Sequence, residues 1–203
     1  MTAEEKETGA LTPVAPAART DIYIKIVEQE FRQGEIISGL TQYIFDAETN
    51  EISAIQHPYV IVASQDCDLF QDYGRLESGQ DSDLNCILCY EAHLATDVRG
   101  RVAGSDIWKR VSQNNDDRYH ALQSAAAEYD NLAVGIPDMV IDFKKFFAIT
   151  NLDLSSQIKK GEANRRTRLK EPYREHFQSR AAFYLQRVAL PEPHRLSPIA
   201  RAK

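Results

Sequence analysis

Apolar and polar positions along the chain fall into β-like runs first and a single helical stripe last. In DIYIKI, Ile22, Ile24 and Ile26 share one parity, the alternation of a half-buried strand, although the following VEQEFRQG fits a helical turn equally well. EIISGLTQYIFD reads as a strand or a bent pair of strands with Gly39 as the expected bulge, and AETNE has hairpin-turn chemistry. HPYVIVAS and LNCILCYEA are continuous β-rich runs, which suggests burial on both faces. Between them, QDYGRLESGQDSD carries two glycines and four acids and is expected as an exposed loop. SDIWKRVSQ predicts a short helix capped by Ser105. DDRYHALQSAAAEYDN fits strand or helix, and MVIDFKKFFAIT is a third strand-like segment.

The last pattern is helical. Tyr173, Phe177, Ala181, Tyr184 and Val188 recur at spacings of 4, 4, 3 and 4 and form one apolar stripe. Pro172 fits the first helical position, and Pro191 ends the run. These patterns predict a mainly β chain with α: a small β-rich barrel or sheet core carrying a C-terminal amphipathic helix. Residues 1–19, rich in Ala, Pro, Thr and Glu, are expected as a disordered tail. Residues 20–158 form the core domain, residues 159–191 a basic segment and helix packed on it, and residues 192–203 a flexible tail.

Composition narrows the class. With 43% hydrophobic and 27% charged residues in 203, the chain is of ordinary globular kind. No run reaches the ~18 apolar residues of a membrane helix, and the N-terminus lacks the apolar stretch of a secretory signal. Three cysteines fit free thiols in a reducing cytoplasm better than a disulfide framework. Charge is divided: from Lys159 onward 12 Lys and Arg face 4 acids, whereas residues 1–158 hold 26 acids against 12 basic residues. The two parts are expected to attract each other, or the basic end meets an acidic partner.

Candidate chemistry clusters at three places. In SQDCD, strand alternation would send Asp66 and Asp68 to one side and Cys67 to the other. Paired carboxylates there could share a proton, hold a divalent metal or orient a histidine; alternatively Ser64 and Asp66 only cap a turn. Cys67 between acids is a poor nucleophile. Cys86 and Cys89 spell C-x-x-C without the turn a zinc site needs, so they read as buried strand cysteines rather than metal ligands alongside Cys67, His57 or His93. In NNDDRYHAL, Arg118, Tyr119 and His120 supply a cation, a phenol and an acid–base group, unless Arg118 simply pairs with Asp116 or Asp117. KKGEANRRTRLK offers Arg165, Arg166, Arg168 and Lys170, with Arg174 beyond, as phosphate contacts. No P-loop, dinucleotide fingerprint, nucleophile elbow or H-E-x-x-H is present, and no cofactor is expected.

GEII (34–37), HPYVIVASQDCDL (57–69) and LNCILCYEA (84–92), in that order, are similar to the barrel pattern of PemK/MazF-type proteins. SQDCD, RYHAL and RLKEPYREHFQSRAAFYLQRVALP resemble an uncharacterised bacterial family bearing the same marks. The toxin resemblance implies an SH3-like barrel that cleaves RNA without metal, usually as a dimer paired with an antitoxin. Ser64 matches the small hydroxyl residue that ends the central strand; His57-Pro58 stands where that family has Arg-Pro.

The resulting expectation is a cytoplasmic bacterial toxin–antitoxin or anti-phage defence component that engages nucleic acid, up to metal-independent RNA cleavage. Asp66, Asp68, Arg118 and His120 would form the catalytic group, with Arg165, Arg166, Arg168, Lys170 and Arg174 on phosphates. The alternative is a non-catalytic adaptor or partner subunit whose helix stripe, completed by Phe183, docks in a groove of a protein encoded nearby. A homodimer fits either reading, and no membrane partner is expected.

Overall fold

The β-like runs all become strands, and two segments without that pattern join them. The computed structural model describes residues 22–102 and 104–186. Among these, seven strands form one antiparallel sheet: β1 (Tyr23–Ile24), β2 (Glu35–Asp46), β3 (Glu51–Val62), β4 (Ile87–Leu94), β5 (Tyr119–Leu122), β6 (Met139–Ile149) and β7 (Asn164–Leu169). Their order is β1-β7-β2-β3-β4-β6-β5. Five helices accompany them: α1 (Asp66–Glu77), α2 (Ala95–Arg101), α3 (Ser105–Ser112), α4 (Asn151–Lys159) and α5 (Tyr173–Leu185). The expected tails, with Val188 and Pro191, lie outside the described residues. No helix among the described residues is long and apolar enough to cross a membrane.

The sheet is open, since its edge strands β1 and β5 do not pair. It nevertheless curls. One core cluster draws on every strand and on α5: Tyr23, Ile36, Ile61, Tyr90, Leu122, Ile141, Leu169 and Phe177 all belong to it. The Tyr23 hydroxyl donates to the Gln123 carbonyl at 2.5 Å, so side chains bring the two edges together where a closed barrel would use a strand ladder. The predicted stripe docks inside this curl, with Phe177 at 0% exposure packing edge-on against Tyr90. Truncating such a ring to alanine costs about 3–5 kcal/mol.

The other sheet face is covered in two patches. α1 and α4 bring Leu69 and Leu154 onto Ile37, Leu40, Val60, Val62, Ile87, Cys89 and Ile149. α2 and α3 bring Val98, Val111 and Trp108 onto Val140.

Several expectations change. SQDCD does not extend the strand: Asp66 and Asp68 open α1, where acids favour the positive end of the helix dipole. The segment read as an exposed loop is therefore largely helix. Ser105 does not cap α3, whose N-cap is Gly104. α4 starts on a Thr150 side chain that accepts from the Asp153 N–H at 3.1 Å. The basic run 164–169 is not a solvated loop but β7, paired with both β1 and β2. Gly39 is not the expected bulge, since the β2–β3 register runs through it unbroken and the shift falls between Ile36 and Ile37 against β7. Its φ of +76° serves a close approach, where a Cβ would stand 3.0 Å from the Glu162 carbonyl oxygen.

Beyond Gly39 the β2–β3 hairpin leaves the sheet. Pairing with β7 ends at Ser38, and pairing with β4 begins at Val60, yet β2 and β3 continue together to Asp46 and Glu51. Gln157 of α4 bonds the Thr41 N–H and carbonyl on the β2 edge. Beyond Thr41 the outer residues form a two-stranded ribbon with neither edge paired to another strand among the described residues.

Candidate functional site

The expected catalytic group does not converge. Asp66 is tied down: its Oδ2 accepts from Arg32 Nη1 at 3.1 Å and Arg174 Nη1 at 3.3 Å, and its Oδ1 from the Gln33 N–H at 3.0 Å. The carboxylate joins α1, α5 and the chain before β2. Asp68 is exposed, with only the Cys67 thiol bonded to it, and lines a cleft of about 320 Å³ between α1 and α5.

Arg118 and His120 lie on the other flank of α5. His176 sits 5.4 Å ring to ring from His120, and Arg180 donates to the Tyr119 carbonyl at 2.8 Å. Arg174, which holds Asp66, is two residues from His176, about 200° around the helix. The stripe between them fills the core, so the helix itself separates the acid pair from the Arg-Tyr-His element. Arg118 pairs through two nitrogens with Asp142, not with Asp116 or Asp117. That pairing raises the guanidinium's pKa, and Asp142, although burial would lift it, is held below its ordinary value by Arg118. His120, at 3% exposure, faces Phe143 and Phe177 and does not sit at a solvent-facing rim.

The arginines of the basic strand are committed inside the molecule. Arg165 grips the fully buried Glu35 at 2.6 and 2.9 Å and the carbonyls of Glu28, Gln29 and Glu30. Arg166 pairs bidentately with buried Asp130 at 2.7 and 2.8 Å and donates to the Gly135 carbonyl. Arg168 pairs with Glu28 at 2.8 Å, and Arg174 adds Glu171 and Glu175, each at 2.7 Å, to Asp66. Arginine's planar fork suits such buried pairs. The charge division along the sequence thus serves intramolecular attachment of acidic loops to a basic strand. Lys170 is partly buried, its N–H donating to the Ile22 carbonyl.

A polar strip that the sequence did not single out lies on the sheet face between the two helix-covered patches. Along β4 the face runs from Cys89 through Glu91 and His93 to the second patch; along β6 it runs from Val140 through Asp142 and Lys145 to Phe147. Register shifts between Tyr90 and Ala92 on β4, where β6 holds extra residues that re-aim these side chains. Glu91 Oε1 is 2.9 Å from His57 Nδ1, and its Oε2 is 3.2 Å from His93 Nε2 and 3.3 Å from Lys145 Nζ. His57 is buried, stacked on Phe147 with ring centroids 4.2 Å apart. Burial would lift the Glu91 carboxyl, but Lys145, His93 and His57 outweigh it and hold the pKa down. Burial lowers His93, against the pull of Glu91. The individual signals were present: His57 and His93 are in the sequence, and Glu91 and His93 share one strand parity. Their convergence depends on strand pairings that no local pattern reveals.

Among the described residues no three His, Cys, Asp or Glu side chains could jointly hold a metal ion. Cys89 is buried, its thiol pushed up to about 12, whereas Cys67 and Cys86 are exposed; the expectation that both C-x-x-C cysteines are buried holds for Cys89 alone.

The ribbon carries several exposed apolar side chains close together. Tyr43, Phe45 and Ile52 are 56%, 60% and 70% exposed, and register places them on one face with Ala54; Ile44 and Ile55 occupy the other. Asp46, Glu48 and Glu51 surround the tip, and no Lys or Arg lies between Leu40 and His57. No protein-family model, curated protein or solved structure matches this chain.

Proposed function

We propose that this protein is a non-catalytic partner subunit that binds another protein through the β2–β3 ribbon, in a bacterial toxin–antitoxin or anti-phage defence setting of the kind its PemK/MazF-like sequence features suggest. One observation carries the reading: a long two-stranded ribbon exposes Tyr43, Phe45 and Ile52 on one face and leaves both edges open. Proteins normally shield such edges with charge, proline or short strands, because they template pairing with other chains. Here the apolar face ends in three acids, which suits a partner groove that is apolar within and basic at its rim. A tip-to-tip pairing of two ribbons would bring the same acids together, which disfavours that arrangement of two copies. Of the C-terminal stripe, Tyr173, Phe177, Ala181 and Tyr184 pack on the chain's own core, while Phe183, expected to complete it, stays 59% exposed.

Purification of tagged protein from its native host with neighbouring genes intact tests the reading. A stoichiometric companion is expected, lost on Phe45→Asp with Ile52→Asp. Purification without a companion, or a companion indifferent to both substitutions, refutes it. A second reading, chemistry on nucleic acid, is favoured by the strip: His93 Nε2, buried without a hydrogen bond, stands 3.2 Å from Glu91 beside Lys145, with Arg101 and Arg118 near enough to act on its neighbours. It predicts RNA cleavage in excess chelator that Glu91→Gln abolishes. Neither cleavage nor RNA binding at low salt would remove it.

A further inference from the structure

The flank of α5 that faces β5 holds two buried nitrogens with nothing to bond. The Nδ1 of His120 and the Nε of Arg180 are both shielded from solvent, and neither finds a partner among the described residues. Arg180 spends its terminal nitrogens on the carbonyls of Asn114, Asp116 and Tyr119. In contrast to the other inward-facing arginines, no carboxylate among the described residues forms an ion pair with it. Asp116 and Asp117 are the acids that act on it at longer range. Above His120 stands the exposed ring of His176, and the two histidines line a cavity of about 210 Å³ with Gln113, Asn114, Gln123 and Tyr173. His176 alone also lines an adjoining open pocket, whose other walls include Arg180 and Asp117.

Buried polar groups are nearly always paired, so orphaned ones mark an absent ligand, ion or water. The charged groups that act on His120 are Arg180 and His176; no acid is among them. Elsewhere on its surroundings His120 meets Phe143 and Phe177, which carry no charge. An uncompensated guanidinium beside two imidazoles calls for an anion. Its donors come from two elements, His120 on β5 and His176 with Arg180 on α5, so more than one oxygen can be bonded at once, which suits a tetrahedral oxyanion. The volume is below the ~300 Å³ at which drug-sized ligand sites begin, so one small group fits rather than a whole cofactor.

We propose that the junction of these two pockets, at His176, binds a phosphate group, as inorganic phosphate or as the terminal phosphate of a monoester, between His120 on one side and Arg180 on the other. An anion there favours the imidazolium forms of both rings, against the burial and the Arg180 charge that lower them. Asp116 and Asp117 oppose the anion and set a ceiling on affinity.

The test is titration of the full chain with inorganic phosphate in a phosphate- and sulfate-free buffer, followed by calorimetry and by NMR of the histidine rings. Saturable 1:1 binding is expected to shift the ring signals of both His120 and His176. His176→Gln, at an exposed position, and His120→Phe, which keeps a ring in the core, should each weaken it by about tenfold or more. A methyl phosphate arm distinguishes the sources: tighter binding than inorganic phosphate identifies a monoester, weaker binding the free ion. No saturable binding, binding that moves neither ring, or binding unchanged by His176→Gln overturns the proposal. Should His120→Phe fail to fold, the His176 variant decides alone.

Discussion

Two pairs of histidines show how neighbours decide what an imidazole can do. His57 and His93 share the Glu91 carboxylate, which also holds Lys145. His120 and His176 share no carboxylate and stand beside Arg180. In the first pair an acid offsets part of the cost of burial; in the second, burial and two cationic neighbours act together. The outcome is a His120 pKa lowered to about 3 and a ring neutral at ordinary pH. The first cluster holds an acid of its own, although His93 Nε2 makes no hydrogen bond to it; the second holds none and would be completed from outside. This difference, rather than the number of histidines, sets the chemistry available on each side of the molecule.

The largest effect that would sharpen the contrast is acid destabilisation through His120. Its unfolded value is about 6.5. Between that value and 3 the unfolded chain binds a proton that the folded chain refuses. Stability owed to neutral His120 is therefore complete above about pH 6.5 and is lost as pH falls toward 3, by a total on the order of 4 kcal/mol. Denaturant midpoints measured from pH 7 to pH 4 should fall in wild type and fall less in His120→Phe. His93 and His176, both also lowered, keep some slope in the variant. Equal slopes in the two proteins would break the comparison.

Next comes Glu91→Ala. It leaves His57 buried against Phe147 and strips Lys145 and His93 of their shared partner. Removing one member of a partly buried charged network costs about 2–3 kcal/mol. Glu91→Gln keeps an acceptor for His57 and should lose less. Urea unfolding at pH 7 reads both, and an alanine variant within about 0.5 kcal/mol of wild type would show that the carboxylate does not organise the strip.

Legibility in the sequence followed the range of the interaction. Strands β2, β3, β4 and β6 and helix α5 were readable because their hydrophobic periods are local. β7 was not, because NRRTRL buries its arginines only when Glu35, Glu28 and Asp130 arrive from distant parts of the chain. α1 was hidden by its acids and Gly74, although Leu69 and Asp72 face inward; Asp72 accepts from Ser82, Asp83 and Leu84 and pins the loop that follows. The candidate site was misplaced for one reason. Asp66 and His120 were read as neighbours across a rim, whereas α5, itself correctly anticipated, lies between them. The strip and the phosphate cavity each assemble residues from separate elements, and no periodicity announces that.

The smallest expected change concerns the ribbon, and its smallness is informative. Phe45 and Ile52 face each other across the two strands at 60% and 70% exposure, so replacing both with serine removes a cross-strand pair but no core. Such exposed pairs contribute roughly 0.2–1 kcal/mol, and the double variant should unfold within about that range of wild type. Phe177→Ala, in the curl of the sheet, should cost several times more. Residues held for folding would show their value in the isolated chain. Large side chains that cost the isolated chain almost nothing when removed, yet leave an apolar edge open in water, are retained against the ordinary penalty of aggregation. A ribbon variant as stable as wild type, more soluble, and unable to retain a companion protein would locate that retention in an interface. A variant that unfolded like Phe177→Ala would instead make the ribbon part of the core and remove the argument for a partner.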